Sequence, residues 1–339
     1  MTSGLTILAA GPGSTVQDAG RVGYLRYGVT GAGPMDPFAH ALANRAVGNP
    51  AEAAAIEISL GGIELTVDGG AATVALAGGS FAVSLDGQVL PSAVVAELQP
   101  GARLKVRPGA AGAWCYLAVA GGIALPPVLG SVSTHIRTGM GGLGGRALQA
   151  GDRLPISSAL PAFHEAGAIV TPMLDRPPDR IRVIPGPQDD HFAPDQMEAF
   201  LAGPWTVSPR SDRMAYFLGG PTLKHRRGHD ITSDGIAMGA IQVPGSGEPI
   251  VLMADRQSTG GYPKIATIIG ADLGRFAQAR PGTSLSFEAV THADAVAARA
   301  QEQAFLGGCI PVEPLVRTHF PPEFLLGLNL VDGVVDARS

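Results

Sequence analysis

The residues able to do chemistry in this chain fall in compact clusters set among glycines. Gln17-Asp18-Ala19-Gly20-Arg21 joins an amide, a carboxylate and a guanidinium within one turn. Ser211-Asp212-Arg213 repeats the acid–base pairing, Ser233-Asp234-Gly235 follows, and the run from Asp255 to Lys264 is the densest. Arginine offers a planar fork that matches a carboxylate or phosphate. A neighbouring aspartate can orient that fork, accept a substrate N–H or act as a base. Gly260 and Gly261 would let bare peptide N–H groups approach an anion. Gln257, Ser258, Thr259 and Tyr262 add neutral donors and acceptors. Such a set suits a small anionic amide better than an apolar ligand.

Each cluster also has a plainer reading. Asp18 with Arg21, and Asp212 with Arg213, are equally well ion pairs that pin a turn. The Asp255–Lys264 run holds more distinct donors and acceptors than a turn requires. The glycines at 139, 141, 142, 144 and 145, ahead of Arg146, are either a mobile loop over a site or a place of tight packing. His135, His164, His191, His225, His229 and His292 show no metal-ligand spacing; the four-residue gap from His225 to His229 is best read as part of a solvated basic loop with Lys224, Arg226 and Arg227.

Several machines are excluded. The sequence has no G-x-x-x-x-G-K-[ST], no His-Glu-x-x-His and no G-x-S-x-G. A serine amidase built on a lysine ahead of a serine-rich segment fails too, because Val106 to Trp114 contains no serine. Cys115 and Cys309 lie far apart in apolar surroundings and predict neither a disulfide framework nor a zinc site. Net charge is −5 with no basic stripe, which argues against nucleic acid. The uncharged stretch from Ala113 to Ser133 is interrupted by Gly121, Gly122, Pro126 and Pro127, so no membrane span is expected. Met1 to Gly20 lacks the pattern of a secretory leader, and a cytoplasmic location is the expectation.

The elements that must position these groups read as mainly β with a few short helices. The apolar fraction is 45% but only 5% of the residues are aromatic, so the core rests on Val, Ile, Leu and Ala. Gly (47) and Pro (28) punctuate many short strands. Ile63, Leu65 and Val67 alternate with polar residues; Phe81, Val83 and Leu85 do so before an Asp86-Gly87 hairpin turn. Leu5–Leu8, Leu104–Val106, Trp114–Val119, Ile181–Ile184, Trp205–Val207, Ile231–Ser233, Ala240–Val243, Ile250–Ala254 and Ser284–Glu288 complete the strand reading. Asp36, Pro37 and Gly48 bracket a helix, Met197, Phe200 and Leu201 mark a second, and Thr291 with Asp294 caps a third. The pattern fades around Ile156 to Arg180. Two β-rich modules are expected, 1–175 and 176–310, followed by a tail, 311–339.

At the clusters the chain resembles the family that joins allophanate hydrolase subunit 2 with the C subunit of 5-oxoprolinase. The resemblance runs through Gln17–Arg21, Gly28-Val29, Met35-Asp36, Ala118–Ile123, Leu129–Ser131, Gly141–Arg146, Ser211–Met214, Gly239–Pro244 and Asp255–Lys264. It covers most of residues 5 to 290. It departs at Gly31–Pro34, where a serine near Gly33 is expected, and at Ser258, where threonine is usual. The resemblance implies a cyclophilin-like β-barrel in the second module. It implies a C subunit that works with two 5-oxoprolinase partners, the Kip inhibitor-like B subunit and the A subunit. Together they would use ATP to open 5-oxo-L-proline to L-glutamate. Related carboxyltransferase-like members imply an alternative: transfer from carboxybiotin to urea or a similar amide, with biotin on another chain. A third implication is a non-catalytic partner of a Kip-type kinase inhibitor. Within the first of these, Asp255, Arg256 and Asp18 are the expected catalytic residues; Arg21, Arg213, Gln257, Gly260, Gly261, Tyr262 and Lys264 are the expected substrate contacts. Arg213 or Arg256 would hold a carboxylate or phosphate, and Gly260 with Gly261 would cradle an oxyanion. No metal is expected.

Overall fold

The computed structural model describes residues 3–157 and 166–316; His164 and most of the expected tail lie outside the described residues. The first half builds one large sheet from β1 (Gly4–Ala10), β2 (Thr15–Gln17), β3 (Ala55–Ile58), β4 (Ile63–Asp68), β5 (Ala72–Leu85), β6 (Gln88–Leu90), β7 (Val94–Leu98), β8 (Leu104–Val119), β9 (Arg153–Pro155) and β10 (Gly167–Ile169). Its spine is the antiparallel pairing of the two long strands, β5 and β8. In β4, Ile63, Leu65 and Val67 are buried while Glu64, Thr66 and Asp68 face outward, as a period of two demands. Asp86 and Gly87 both take positive φ (49° and 86°), which gives the two-residue turn whose twist matches the strands it joins.

Helix α1 (Pro37–Ala46) interrupts this sheet. The Asp36 carboxylate accepts from the Ala39 N–H at 3.1 Å and Pro37 opens the first turn, so the start is fixed locally. Nearly the whole helix is buried, because it lies on β5 and β8 with one face and toward the second half with another.

The second half closes a seven-stranded barrel from β11 (Arg180–Pro185), β12 (Trp205–Val207), β13 (Ala215–Gly219), β15 (Ala240–Gln242), β16 (Ile250–Leu252), β18 (Lys264–Ile268) and β19 (Ser284–Ala289). Closure is made by β11 and β19 running parallel; the other pairs are antiparallel. Two-residue strands β14 (Asp234–Gly235) and β17 (Thr259–Gly260) pair outside the barrel. The strand expected at Ile231–Ser233 is not formed: its paired residues come later, at β14, and Ile231 instead donates to Gly261 O at 2.8 Å. Helices α2 (Pro194–Ala202), α3 (Leu273–Ala277) and α4 (His292–Gly307) flank the barrel, and α4 opens on a reciprocal Thr291/Asp294 capping box. Strand β20 (Val312–Pro314), inside the segment expected as a tail, pairs with β10 and so returns to the first sheet.

One hydrophobic core joins the halves. Met35, Phe38 and Leu42 from the α1 region, Tyr116 from β8, Tyr216 and Ile241 from the barrel, and Phe276 from α3 belong to a single buried cluster. A second cluster, including Leu5, Ile56, Leu65 and Leu76, fills the other face of the large sheet. Where β8 crosses the seam, Gln278 behaves as a piece of backbone. Its Oε1 accepts from the N–H groups of Ala113 (2.8 Å) and Trp114 (3.0 Å), and its Nε2 donates to Trp114 O (3.0 Å) and Asp36 Oδ2 (2.9 Å). No helix among the described residues is long and apolar enough to cross a membrane.

Candidate functional site

The polar heart of the seam is Arg213, on the approach to β13. Its Nε and Nη2 form a two-pronged pair with Asp255 (2.9 and 2.8 Å), its Nη1 meets Glu57 Oε1, and Nη2 also donates to Gly33 O at 2.8 Å. Glu57, on β3, in turn accepts from Tyr116 Oη and the Met35 N–H, both at 2.8 Å. Burial by itself would lower the Arg213 pKa; the carboxylates of Glu57 and Asp255 outweigh it and hold the guanidinium charged. All three nitrogens of this fork are engaged. Arg213, expected to grip a substrate carboxylate, is placed here against two protein carboxylates.

Asp18 is spent in the same way. Its Oδ1 accepts from Ser131 Oγ (2.5 Å), Ser133 Oγ (2.6 Å) and the Gly20 N–H (2.9 Å), and its Oδ2 from the Val132 N–H (2.7 Å). Burial pushes its pKa up, but those hydrogen bonds carry it below the usual carboxylate value. Asp18, expected as a catalytic residue, is placed here as a hub of four hydrogen bonds, three on Oδ1 and one on Oδ2. It ties the first loop to the 131–133 segment. Arg21 reinforces that tie by donating to Val128 O (3.1 Å) and Ser133 O (2.5 Å), while its Nη1 is buried without a partner. The glycine run divides: Gly139 and Gly144 face open space, and the other three are tightly packed. A Cβ on Gly141 would strike Ser133 O and Arg21 Nη2, one on Gly142 would strike Thr134 Oγ1, and one on Gly145 would strike Gly139 O.

Against this loop lies a cavity of about 530 Å³, lined by Gly28, Val29, Thr30, His135, Arg137, Thr138, Met140, Met214, Asp255, Arg256 and Gln257. Arg256 is only 9% exposed. Its Nε donates to Ile236 O (3.0 Å) and its Nη1 to Met253 O (3.4 Å); no carboxylate among the described residues pairs with it. Burial lowers its pKa with nothing to oppose it. A guanidinium stripped of water and lacking a counter-ion is a ready seat for an anion. His135, passed over for want of metal spacing, is 6% exposed, and its Nε2 is buried without a partner. The signal available in sequence was its place between Ser131 and the glycine run, with Thr138 three residues on.

The Asp255–Lys264 run thus divides. Asp255, Arg256 and Gln257 line the cavity; Gly260, Gly261, Tyr262 and Lys264 do not. Gly260 sits opposite Asp234 in the β14–β17 pair, and a Cβ there would meet Gln242 Nε2 at 2.6 Å. Gly261 accepts from Ile231, Tyr262 is half exposed, and the buried Lys264 ammonium pairs with Asp234 at 2.9 Å. These residues brace the barrel rim, and the oxyanion cradle expected at Gly260 and Gly261 lies outside the 530 Å³ cavity. A larger cavity, about 840 Å³, opens between α1 and α4. Glu52 is among its lining, Arg45 donates to Leu306 O (3.0 Å) and Arg299 pairs with Glu302 (2.7 Å); we place the chemistry at the smaller one, where Arg256 and His135 meet. No cluster of three or more His, Cys, Asp or Glu among the described residues is placed to hold a metal.

The family described as carboxyltransferase domain, subdomain A and B, matches residues 27–289. The chain is 40% identical to the C subunit of 5-oxoprolinase from Escherichia coli over 89% of its own length and 96% of that protein. It is 37% identical to the Haemophilus influenzae protein of the same name, over 86% of this chain and 93% of that one. Among solved structures it resembles the K. lactis urea amidolyase, with a TM-score of 0.84 at 30% identity, covering 91% of this chain and 20% of that enzyme.

Proposed function

The chain belongs to the carboxyltransferase domain family of subdomains A and B, and on that premise we propose that it is the C subunit of a 5-oxoprolinase. With the A and B subunits it opens 5-oxo-L-proline to L-glutamate, and ATP is hydrolysed. The observation that carries this reading is Arg256, a buried guanidinium with no protein carboxylate, facing a cavity of about 530 Å³. 5-Oxoproline is a small lactam bearing one carboxylate, which is the charge that Arg256 lacks. An amide carbonyl is a poor electrophile, and ATP supplies the drive by making its oxygen a leaving group. The sequence has no P-loop, and within the Gly141–Gly145 run Gly141, Gly142 and Gly145 press against Ser133, Thr134 and Gly139. In this proposal ATP is bound with the partner proteins. The near end-to-end likeness to two proteins named as the C subunit of 5-oxoprolinase supports the assignment over the urea enzymes.

A second reading has its own support in the fold likeness to urea amidolyase: carboxyl transfer to urea or a related amide from carboxybiotin carried by another chain. Urea is neutral, so in that reaction Arg256 would have to face the carboxylate of the donor. Purified chain should be mixed with the A and B subunits, ATP and 5-oxoproline, and glutamate measured. Glutamate release that requires this chain and ignores biotin carboxylase components is the expected result. Release that is unchanged when the chain is omitted, or carboxylation of urea that needs carboxybiotin, would overturn it.

A further inference from the structure

The wall of the cavity opposite in character to Arg256 is His135. Nδ1 lies 2.7 Å from Thr138 Oγ1, a contact that either tautomer makes. With the proton on Nδ1, the Thr138 hydroxyl turns to His135 O at 3.5 Å and Nε2 presents a lone pair. Nε2 is buried, it has no partner among the described residues, and the ring borders the same cavity as Arg256, Arg137 and Asp255. Leaving a buried ring nitrogen unpaired costs stability, and the orphaned atom lies where a ligand would supply the missing partner.

We propose that His135 is a catalytic residue that reads the substrate's amide N–H with Nε2, while Arg256 holds its carboxylate. This rests on the 5-oxoprolinase reading and defines the substrate class more narrowly: an acid carrying a secondary amide N–H that reaches Nε2 while its carboxylate rests on Arg256. The amide oxygen takes the γ-phosphoryl group of ATP, releasing ADP, as the N–H bond breaks, Nε2–H forms and the nitrogen pair makes a C=N bond. Water then adds to that carbon; as the ring C–N bond breaks, the imidazolium and the added hydroxyl each give a proton to nitrogen, and the acyl phosphate left behind is hydrolysed by a second water to the carboxylate and phosphate. The surroundings keep the ring neutral and ready to accept. Burial lowers its pKa first; Asp255 opposes, and Arg213, Arg21 and Arg137 lower it further.

The test pairs kinetics with a spectrum. In the assembled enzyme, His135→Gln retains an acceptor at the Nε2 position but no basicity. It should keep KM within about threefold and lose about a hundredfold in kcat. The acid limb of the kcat profile should vanish with it, and His135→Ala should lose KM as well. A Gln variant with the kcat and pH profile of the wild type overturns the proposal. Nitrogen-15 spectra of the full chain, labelled at histidine, read the tautomer independently of turnover. His135 should show a protonated Nδ1 and a bare Nε2 whose resonance moves on adding 5-oxoproline. A protonated Nε2 overturns the proposal whatever the reaction proves to be. Absence of glutamate with wild-type chain overturns the 5-oxoprolinase reading instead.

Discussion

The seam between the two halves and the wall of the 530 Å³ cavity are built from the same residue types and treat them in opposite ways. At the seam, Arg213 meets two carboxylates and a carbonyl, and buried His40 reaches Gln17 O at 3.2 Å. At the cavity, Arg256 meets only carbonyls, and His135 leaves one nitrogen bare. Asp255 stands at the boundary: it borders the cavity, yet both its oxygens are given to Arg213. A buried charge with its complement is architecture; one without it is an invitation to a ligand. The pairing state of each group, more than its identity, separates structure from function here.

That contrast can be broken by mutation. The largest effect should come from Arg213→Met, which strands Glu57 and Asp255 without a cation and should cost about 3–5 kcal/mol of stability. Urea unfolding measures it, and adding Glu57→Gln with Asp255→Asn should recover a good part. A loss below about 1 kcal/mol in the single variant would mean that the seam does not depend on this ion cluster. Next, His40 is buried and its pKa is lowered to about 4, first by burial. A group whose folded pKa lies below its unfolded value of about 6.5 is protonated first in the unfolded chain, so stability is full above about pH 6.5 and lost as pH falls toward about 4. The loss should reach about 3 kcal/mol, and it should be absent from the pH–stability curve of His40→Gln. Arg256→Ala should weigh on turnover more than on stability. It removes the donor to Ile236 O and should cost about 1–2 kcal/mol of stability, while kcat/KM for glutamate release falls about a hundredfold, or roughly 2.7 kcal/mol. A complex that keeps full turnover with this variant would remove the cavity from consideration.

What could be read in advance follows from how far each signal travels along the chain. The alternation in β4, the Asp86-Gly87 turn, the Asp36-Pro37 helix start and the Thr291/Asp294 box all depend on neighbours within a few residues. The first half of β5 shows no alternation, because Val74, Ala75, Leu76 and Ala77 are all buried, with α1 on one face and the second core cluster on the other. Arg213 looked like a ligand site for the same kind of reason. Its partners Glu57 and Asp255 lie 156 and 42 residues away, and no spacing rule links them. The distinction between Asp255–Gln257 and Gly260–Lys264 was likewise invisible: a continuous polar run turns from cavity wall to barrel rim over a few residues.

Gln278 carries one more implication. Its amide occupies the N–H groups of Ala113 and Trp114 where a neighbouring strand would otherwise be hydrogen-bonded, and Gly79 and Gly112 lack the side chains that would exclude it. Ala113 and Trp114 are buried, so removing that amide would strand two main-chain N–H groups inside the seam, at about 1–3 kcal/mol each. The fit of the barrel against the large sheet therefore leans on a single side chain that takes no part in chemistry.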